Sequence, residues 1–162
     1  MRVFLDSCVI LSTLPREIFL EIARQKIFEL WYSSSVESET KHVANRKELT
    51  ADIEAAFISF KLHAQRVDGG KDNAIWLPDE NDRHVLLGAI AAKADILLTE
   101  NLRDFPIAAL KPFGIEALSP DQFIARNWLE CEEVVRGFIS EDVTATSLKR
   151  AKLYKTAKLL RD

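Results

Sequence analysis

Short apolar runs alternate along the chain with longer stretches in which apolar residues recur at helical spacing. The short runs predict strands at Arg2–Asp6, Phe28–Tyr32, Ala74–Trp76, Asp95–Thr99 and Ile115–Leu118. The longer stretches predict helices over Pro15–Lys26, from Ser33 to about Arg46, over Thr50–Gln65, over Val85–Ala94 and from Ser119 onwards. Because strands alternate with helices, we predict an α/β fold, an α/β/α sandwich with a mainly parallel sheet.

Length and composition fit one folded domain. The chain has 162 residues, of which 48% are hydrophobic and 29% charged, so it can bury a core. No apolar run approaches the roughly 20 residues that span a bilayer, and a charge at the sixth residue argues against a secretion signal. Cys8 and Cys131 are too few for a disulfide scaffold. We therefore expect a cytoplasmic protein without membrane contact.

Several classes of active site lack their motifs here. There is no G-x-G-x-x-G and no P-loop, which argues against dinucleotide and nucleotide-phosphate sites. A phosphatase of the haloacid dehalogenase type needs D-x-D, but Asp6 is followed by Ser and Cys. A thiol phosphatase needs C-x₅-R, and Leu14 stands at the arginine position. Cys8 is therefore interpreted as a small packed residue, and His84 as a surface histidine.

Carboxylates mark the ends of the predicted elements. Asp6 ends the first strand, Asp82 opens the buried helix, and Asp104 lies in the loop after the strand Asp95–Thr99. Glu39 lies one turn into the helix after the second strand. Ligands of an open parallel sheet bind beyond the carboxyl ends of its strands, so these acids are expected at one rim. Taken singly, each acid also fits a cap, a helix-dipole or a turn position.

A group of carboxylates is expected to bind a divalent cation. Carboxylates that lie close together repel one another and raise each other's pKa unless a cation neutralises them. All-oxygen ligand sets favour Mg²⁺ or Mn²⁺, which activate water and stabilise charge on phosphorus. The acids therefore predict metal-dependent hydrolysis of a phosphodiester.

Charge is divided unevenly along the chain. From Ser147 to Asp162 there are six Lys or Arg residues and one carboxylate, a net charge of +5, so the preceding 146 residues carry −8 of the total of −3. Leu153, Ala157 and Leu160 form a narrow apolar stripe, which favours a solvated basic terminal helix. A contact with nucleic acid remains the alternative.

The opening VFLDSCVI and the block from Asp79 to Pro106 (DENDRHVLLGAIAAKADILLTENLRDFP) together resemble the PIN domain family, in its branch of VapC-like toxins and predicted nucleases. The resemblance implies a Rossmann-like α/β/α sandwich over residues 1–128. Residues 129–162 lie outside the resemblance and are predicted to form a C-terminal helical extension. The resemblance also implies an Mg²⁺- or Mn²⁺-dependent ribonuclease.

Matched by position, the resemblance implies Asp6, Asp82 and Asp104 as metal ligands, with Thr99 and Asn101 as supporting polar residues. The second-strand acid matches Glu39, with Glu37 as the alternative. Because all four acidic positions are filled, a non-cutting member is disfavoured.

The resulting hypothesis is a metal-dependent endoribonuclease, the toxin of a VapBC-like pair. Two alternatives stay open: a housekeeping RNA-processing nuclease, and a non-catalytic RNA-binding or scaffold domain. We expect RNA as substrate. An antitoxin protein and a second copy of the chain are the candidate protein partners.

Overall fold

One five-stranded sheet organises the computed structural model, which describes residues 1–72, 74–140 and 143–161. All neighbouring strands are parallel, in the order β3-β2-β1-β4-β5. The strands are β1 (Arg2–Leu5), β2 (Glu29–Ser33), β3 (Gln65–Val67), β4 (Ile96–Leu98) and β5 (Glu116–Leu118). The sheet confirms the α/β prediction, and the carboxyl ends of all five strands meet at one edge.

Helices connect the strands and cover the sheet. They are α1 (Ser7–Leu11), α2 (Thr13–Arg24), α3 (Ser34–Arg46), α4 (Thr50–His63), α5 (Arg83–Ala91), α6 (Ile107–Leu110), α7 (Pro120–Arg126), α8 (Trp128–Gly137), α9 (Ala145–Arg150) and α10 (Tyr154–Leu159). Single 3-10 turns lie at Glu80–Asp82, Leu102–Asp104 and Lys111–Phe113. In the part of the chain that the structure describes, no helix has the length and apolar character needed to cross a bilayer.

The sheet centre is buried on both faces, as the apolar runs predict. Strand β1 pairs with β4 in the register Val3↔Ile96 and Phe4↔Leu97, and Phe4 and Leu97 have no exposed surface. Helix α5 lies against this centre at Gly88, where an added Cβ would come within 2.5 Å of the Phe4 ring. A larger residue at Gly88 would push α5 away from the sheet, so this contact sets where the helix and the Asp82 turn before it can lie.

The prediction for the third strand was wrong. It placed a strand at Ala74–Trp76, whereas β3 comprises Gln65–Val67 and begins at the last residue of the helix predicted over Thr50–Gln65. Strand β3 is at the edge of the sheet and pairs only with β2, so it needs no apolar face. Ile75 instead lies in a loop, where its carbonyl accepts a hydrogen bond of 3.0 Å from Arg83 Nε.

The basic end of the chain is two helices, not the single terminal helix that the sequence predicts. Helices α9 and α10 are separated at Ala151–Leu153, where Lys152 has a φ of 60°. The break buries Leu148 on one helix and Ala157 on the other in the same core cluster as the sheet. Cys131 and Val134 of α8 belong to that cluster too. The boundary at residue 128 between a nuclease domain and an extension stays a prediction.

Candidate active site

Asp6 is the fixed centre of the candidate site. It follows β1 directly, and its backbone N–H donates to the carbonyl of Leu98 on β4 (3.0 Å). Its side chain caps α1 by accepting from the backbone N–H of Ser7 (2.6 Å), and it accepts from the Thr99 hydroxyl (2.7 Å) and the Cys8 thiol (3.3 Å). Only 3% of Asp6 is exposed. Burial raises its pKa, and these hydrogen bonds oppose that effect.

Asp82 shows that the acids share one region. It ends the 3-10 turn Glu80–Asp82, directly before α5, and that turn is capped by Asp79. Its pKa is raised to about 6, first by burial and then by the negative charges of Asp6, Asp104, Asp79 and Glu39. The charges of Asp6, Glu39 and Asp104, which come from distant parts of the sequence, therefore act on Asp82 at the edge of the sheet. We call Asp6, Glu39, Asp82 and Asp104 the acidic edge.

The loop after β4 carries Asp104 and the two polar residues expected to support the site. Thr99 donates to Asp6 and accepts from the backbone N–H of Asn101 (3.0 Å), so it joins this loop to the first strand. Asn101 begins the turn Leu102–Asp104, and its carbonyl accepts from the backbone N–H of Asp104 (3.0 Å). The Thr99 side chain thus contacts Asp6 directly. Asn101 contacts Thr99 and Asp104 through its backbone N–H and carbonyl groups.

Of the two acids proposed for the second strand, the structure brings Glu39 and not Glu37 to the acidic edge. Glu37 pairs with Lys41 (2.9 Å) and with Arg66 (3.1 Å). Although burial acts to raise the pKa of Glu37, the hydrogen bond from Lys41 and the charges around it lower that pKa overall. Glu39 instead acts on Asp6 and Asp82. The helical phase of α3 separates these two acids although they are two residues apart.

His84, which the sequence interprets as a surface histidine, is partly exposed and also contacts Glu39 of the acidic edge. Its Nε2 lies 3.2 Å from Glu39 Oε2 and its Nδ1 lies 2.7 Å from the carbonyl oxygen of Asn81. Both partners accept hydrogen bonds, so a doubly protonated ring satisfies both. The bond to Glu39 accordingly raises the pKa of His84, and the bond to His84 lowers the pKa of Glu39.

Cys8 contacts Asp6 but is not a nucleophile. Burial and the Asp6 charge raise the pKa of its thiol to about 12, so the thiolate is scarce at neutral pH. The Cys8 sulfur accepts from the backbone N–H of Glu100 (3.3 Å). The thiol thus packs between the first strand and the β4 loop and donates to Asp6, as the sequence interpretation of a small packed residue predicts.

The negative charge and the oxygen donors of the acidic edge suit a divalent cation. Their side chains are not, however, arranged as a complete set of metal ligands. Among the described residues, no three His, Cys, Asp or Glu side chains lie close enough to hold a common metal ion. The acids nevertheless raise the pKa of Asp82, because charges act over longer distances than metal–oxygen bonds. No hydrogen bond from another described residue fixes the side chains of Asp82 and Asp104, which are both partly exposed. A bound cation would thus relieve the repulsion that Asp82 experiences from the other acids. No hydrogen bond from another described residue prevents the side chains of Asp82 and Asp104 from turning toward such a cation.

Mutual repulsion among the acids predicts a pH-dependent effect of Asp82→Asn. The folded-state pKa of Asp82 is about 6, above its ordinary value of 3.8, so folding favours the protonated form. In metal-free protein, Asp82→Asn should raise the free energy of unfolding at pH 8, and this gain should disappear as the pH falls from about 6 to 4. Urea unfolding in chelator at both pH values measures it. Asp68→Asn, in an exposed loop, is the control, and a gain of the same size at both pH values would contradict the prediction.

Comparisons with known proteins agree with this architecture. The PIN domain family matches residues 2–103, which include Asp6, Glu39 and Asp82 and end one residue before Asp104. A curated relative, "Putative ribonuclease VapC50" of Mycobacterium tuberculosis (strain ATCC 25618 / H37Rv), is 43% identical over 58 residues. That stretch is 36% of this chain and 34% of the relative, so the match spans about a third of the relative's length. No solved structure matched the chain significantly. With well over half of its residues matched by the family, the chain belongs to the PIN domain family.

Proposed function

We propose that the protein is a metal-dependent endoribonuclease that hydrolyses phosphodiester bonds of RNA. The single observation that carries this proposal is that Asp6 after β1, Asp82 before α5 and Asp104 after β4 lie at the carboxyl edge of the sheet, close enough for the charges of Asp6 and Asp104 to raise the pKa of Asp82. Membership of the PIN domain family and the ribonuclease name of the curated relative support it.

Within this proposal, Asp6, Asp82 and Asp104 hold one or two Mg²⁺ or Mn²⁺ ions. A bound ion of this kind lowers the pKa of a coordinated water and neutralises charge on the phosphate. Asp6 is the anchor because its bonds to Ser7, Cys8 and Thr99 fix it in place. Asp82 and Asp104 lack such bonds from the described residues and would turn to complete the ligand set.

Glu39 completes the carboxylate set or orients the attacking water. His84 positions Glu39 through its contact of 3.2 Å and is itself held by the carbonyl of Asn81. Thr99 keeps Asp6 aimed at the edge, and Asn101 holds the turn that carries Asp104. Each of these roles belongs to this chain's own side chains and backbone.

The proposed activity is tested with purified protein and a labelled single-stranded RNA. We expect cleavage in Mn²⁺ or Mg²⁺, complete loss in chelator, and recovery when the metal is restored. Binding of RNA with no cleavage under any metal condition would contradict the proposal and favour the non-catalytic RNA-binding alternative.

The toxin role is a finer part of the same proposal. It is supported by the VapC name of the relative. The matched stretch covers about a third of that relative's length. In this role an antitoxin protein would cover the acidic edge and keep the nuclease inactive. Induced expression in a bacterial host should arrest growth, and expression of Asp6→Asn should not. Growth that continues during expression of an active nuclease would favour a housekeeping role.

A further inference from the structure

The C-terminal helices present a surface rich in positive charge. Six exposed side chains, which we call the basic surface, form it: Lys149, Arg150, Lys152, Lys155, Lys158 and Arg161. None of them forms an ion pair with a carboxylate of the described residues. Elsewhere in the chain, by contrast, Lys41 and Arg66 pair with Glu37, and Arg126 pairs with Glu116.

The basic surface is firmly attached to the domain. Leu148 and Leu153 are 1% and 0% exposed, so both ends of the turn between α9 and α10 are anchored in the core. The buried carboxylate of Asp121, on α7, accepts from the backbone N–H groups of Lys155 and Thr156 and from the Thr156 hydroxyl, each at 2.9 Å. A carboxylate in this position satisfies the free N–H groups at the start of α10. The lysines are therefore held in one place by buried contacts.

The basic surface begins at the carboxyl edge of the sheet, the same edge that carries the four acids. Asp121 lies in the first turn of α7, which follows β5 at the carboxyl edge of the sheet. Glu100 lies between Thr99 and Asn101, and burial raises the pKa of its carboxyl group. The positive charge of Lys152 acts to lower that pKa, and the negative charge of Asp121 acts to raise it. The start of α10 is thus held against the first turn of α7, at the carboxyl edge of the sheet beside β5.

These placements match the needs of a polyanion. An acidic edge repels a phosphate backbone, and the first 146 residues carry a net charge of −8. Fixed cations at the same edge of the sheet, without ion-pair partners among the described residues, would counteract the repulsion and bind phosphates without regard to sequence. We propose that the basic surface binds the phosphate backbone of single-stranded RNA and directs the strand to the acidic edge, an inference that rests on the proposed function.

The test compares two triple variants that each remove three positive charges. The first is Lys149→Gln, Lys152→Gln and Lys155→Gln, all on the basic surface. The control changes exposed lysines that precede strands at the opposite edge of the sheet, Lys26→Gln before β2, Lys93→Gln before β4 and Lys111→Gln before β5. Each set includes lysines with a positive φ, Lys152 in the first and Lys26 and Lys93 in the control. Both triple variants therefore place Gln in this backbone conformation. Thermal unfolding of both variants verifies that they remain folded.

Binding is measured by fluorescence anisotropy with a labelled single-stranded RNA over a range of KCl concentrations, with Asp6→Asn in every protein so that the RNA stays intact. Loss of three phosphate contacts should reduce the slope of log K against log salt by about 2, and weaken binding at low salt by about tenfold or more. The control set should bind like the parent protein. Equal binding by the two triple variants would overturn the proposal and leave the surface to an acidic protein segment.

A cleavage assay with Asp6 intact separates this inference from the proposed function. The basic-surface variant should raise KM for a long RNA and leave kcat at saturation near the parent value. If the parent cuts RNA and the variant has the same KM, the inference fails and the nuclease proposal stands. If the parent binds RNA through the basic surface but cuts it under no metal condition, the nuclease proposal fails and the inference stands.

Discussion

Replacing Asp6 with Asn is expected to reduce Mn²⁺-supported cleavage of RNA on the order of 100-fold or more while the protein stays folded. The amide has the shape of the carboxylate but carries no charge, so it is a poor ligand for a hard cation. The fold should tolerate the change because Asp6 is 3% exposed and its buried charge is itself costly, as its raised pKa indicates. Initial rates of cleavage together with thermal unfolding measure both effects.

The control for Asp6→Asn is the same substitution at the opposite edge of the sheet. Asp95 accepts a hydrogen bond of 2.7 Å from the backbone N–H of Arg2, before the start of β4. Asp95→Asn should leave cleavage within about twofold of the parent, since surface substitutions away from the site have small effects. Equal activity in Asp6→Asn and Asp95→Asn would remove Asp6 from the mechanism.

Replacing Gly88 with Ala is expected to lower the free energy of unfolding by about 2 kcal/mol, because the extra methyl group overpacks the core. Its Cβ would lie 2.5 Å from Phe4 Cζ and 3.0 Å from the Cβ of Ser33, and both residues belong to central strands with no exposed surface. Helix propensity alone predicts the opposite sign, a gain of about 1 kcal/mol. Urea unfolding thus reports whether α5 is seated against the sheet at Gly88.

Gly137→Ala is the matched control because Gly137 is also helical, at the end of α8, and an added Cβ meets nothing within 4 Å. This change should be neutral or stabilise the protein by up to about 1 kcal/mol. If Gly88→Ala behaved like Gly137→Ala, the contact between α5 and Phe4 would be wrong, and with it the position of Asp82.

Elements that are buried on both sides could be predicted from their apolar sequence. Elements whose position depends on strand pairing or tertiary packing could not. The central strands and α5 are covered on both sides, and they therefore consist of nearly continuous apolar residues that a sequence pattern reveals. Strand β3 is three residues at an edge, with Gln65 and Arg66 exposed, so nothing in its pattern distinguishes it from a loop. The break at Lys152 likewise depends on burying Leu148 and Leu153 together, which is a tertiary demand.

The candidate site divides in the same way. Asp6, Asp82 and Asp104 could be proposed because each stands at the end of a recognisable element, although their metal-binding role stays a prediction. The choice of Glu39 over Glu37 needed the phase of α3 and the positions of Lys41 and Arg66. The role of His84 could not be predicted, since its partner Glu39 is 45 residues away and no spacing rule joins them.

The measurement that tests the central claim most directly is Mn²⁺ binding to the RNA-free protein by isothermal titration calorimetry. The acidic edge predicts saturable binding to the parent, and affinity at least about tenfold weaker in each of Asp6→Asn, Asp82→Asn and Asp104→Asn. Asp95→Asn should bind as the parent does. A parent protein without saturable Mn²⁺ binding, or three edge variants that bind as tightly as Asp95→Asn, would contradict a shared metal site at this edge.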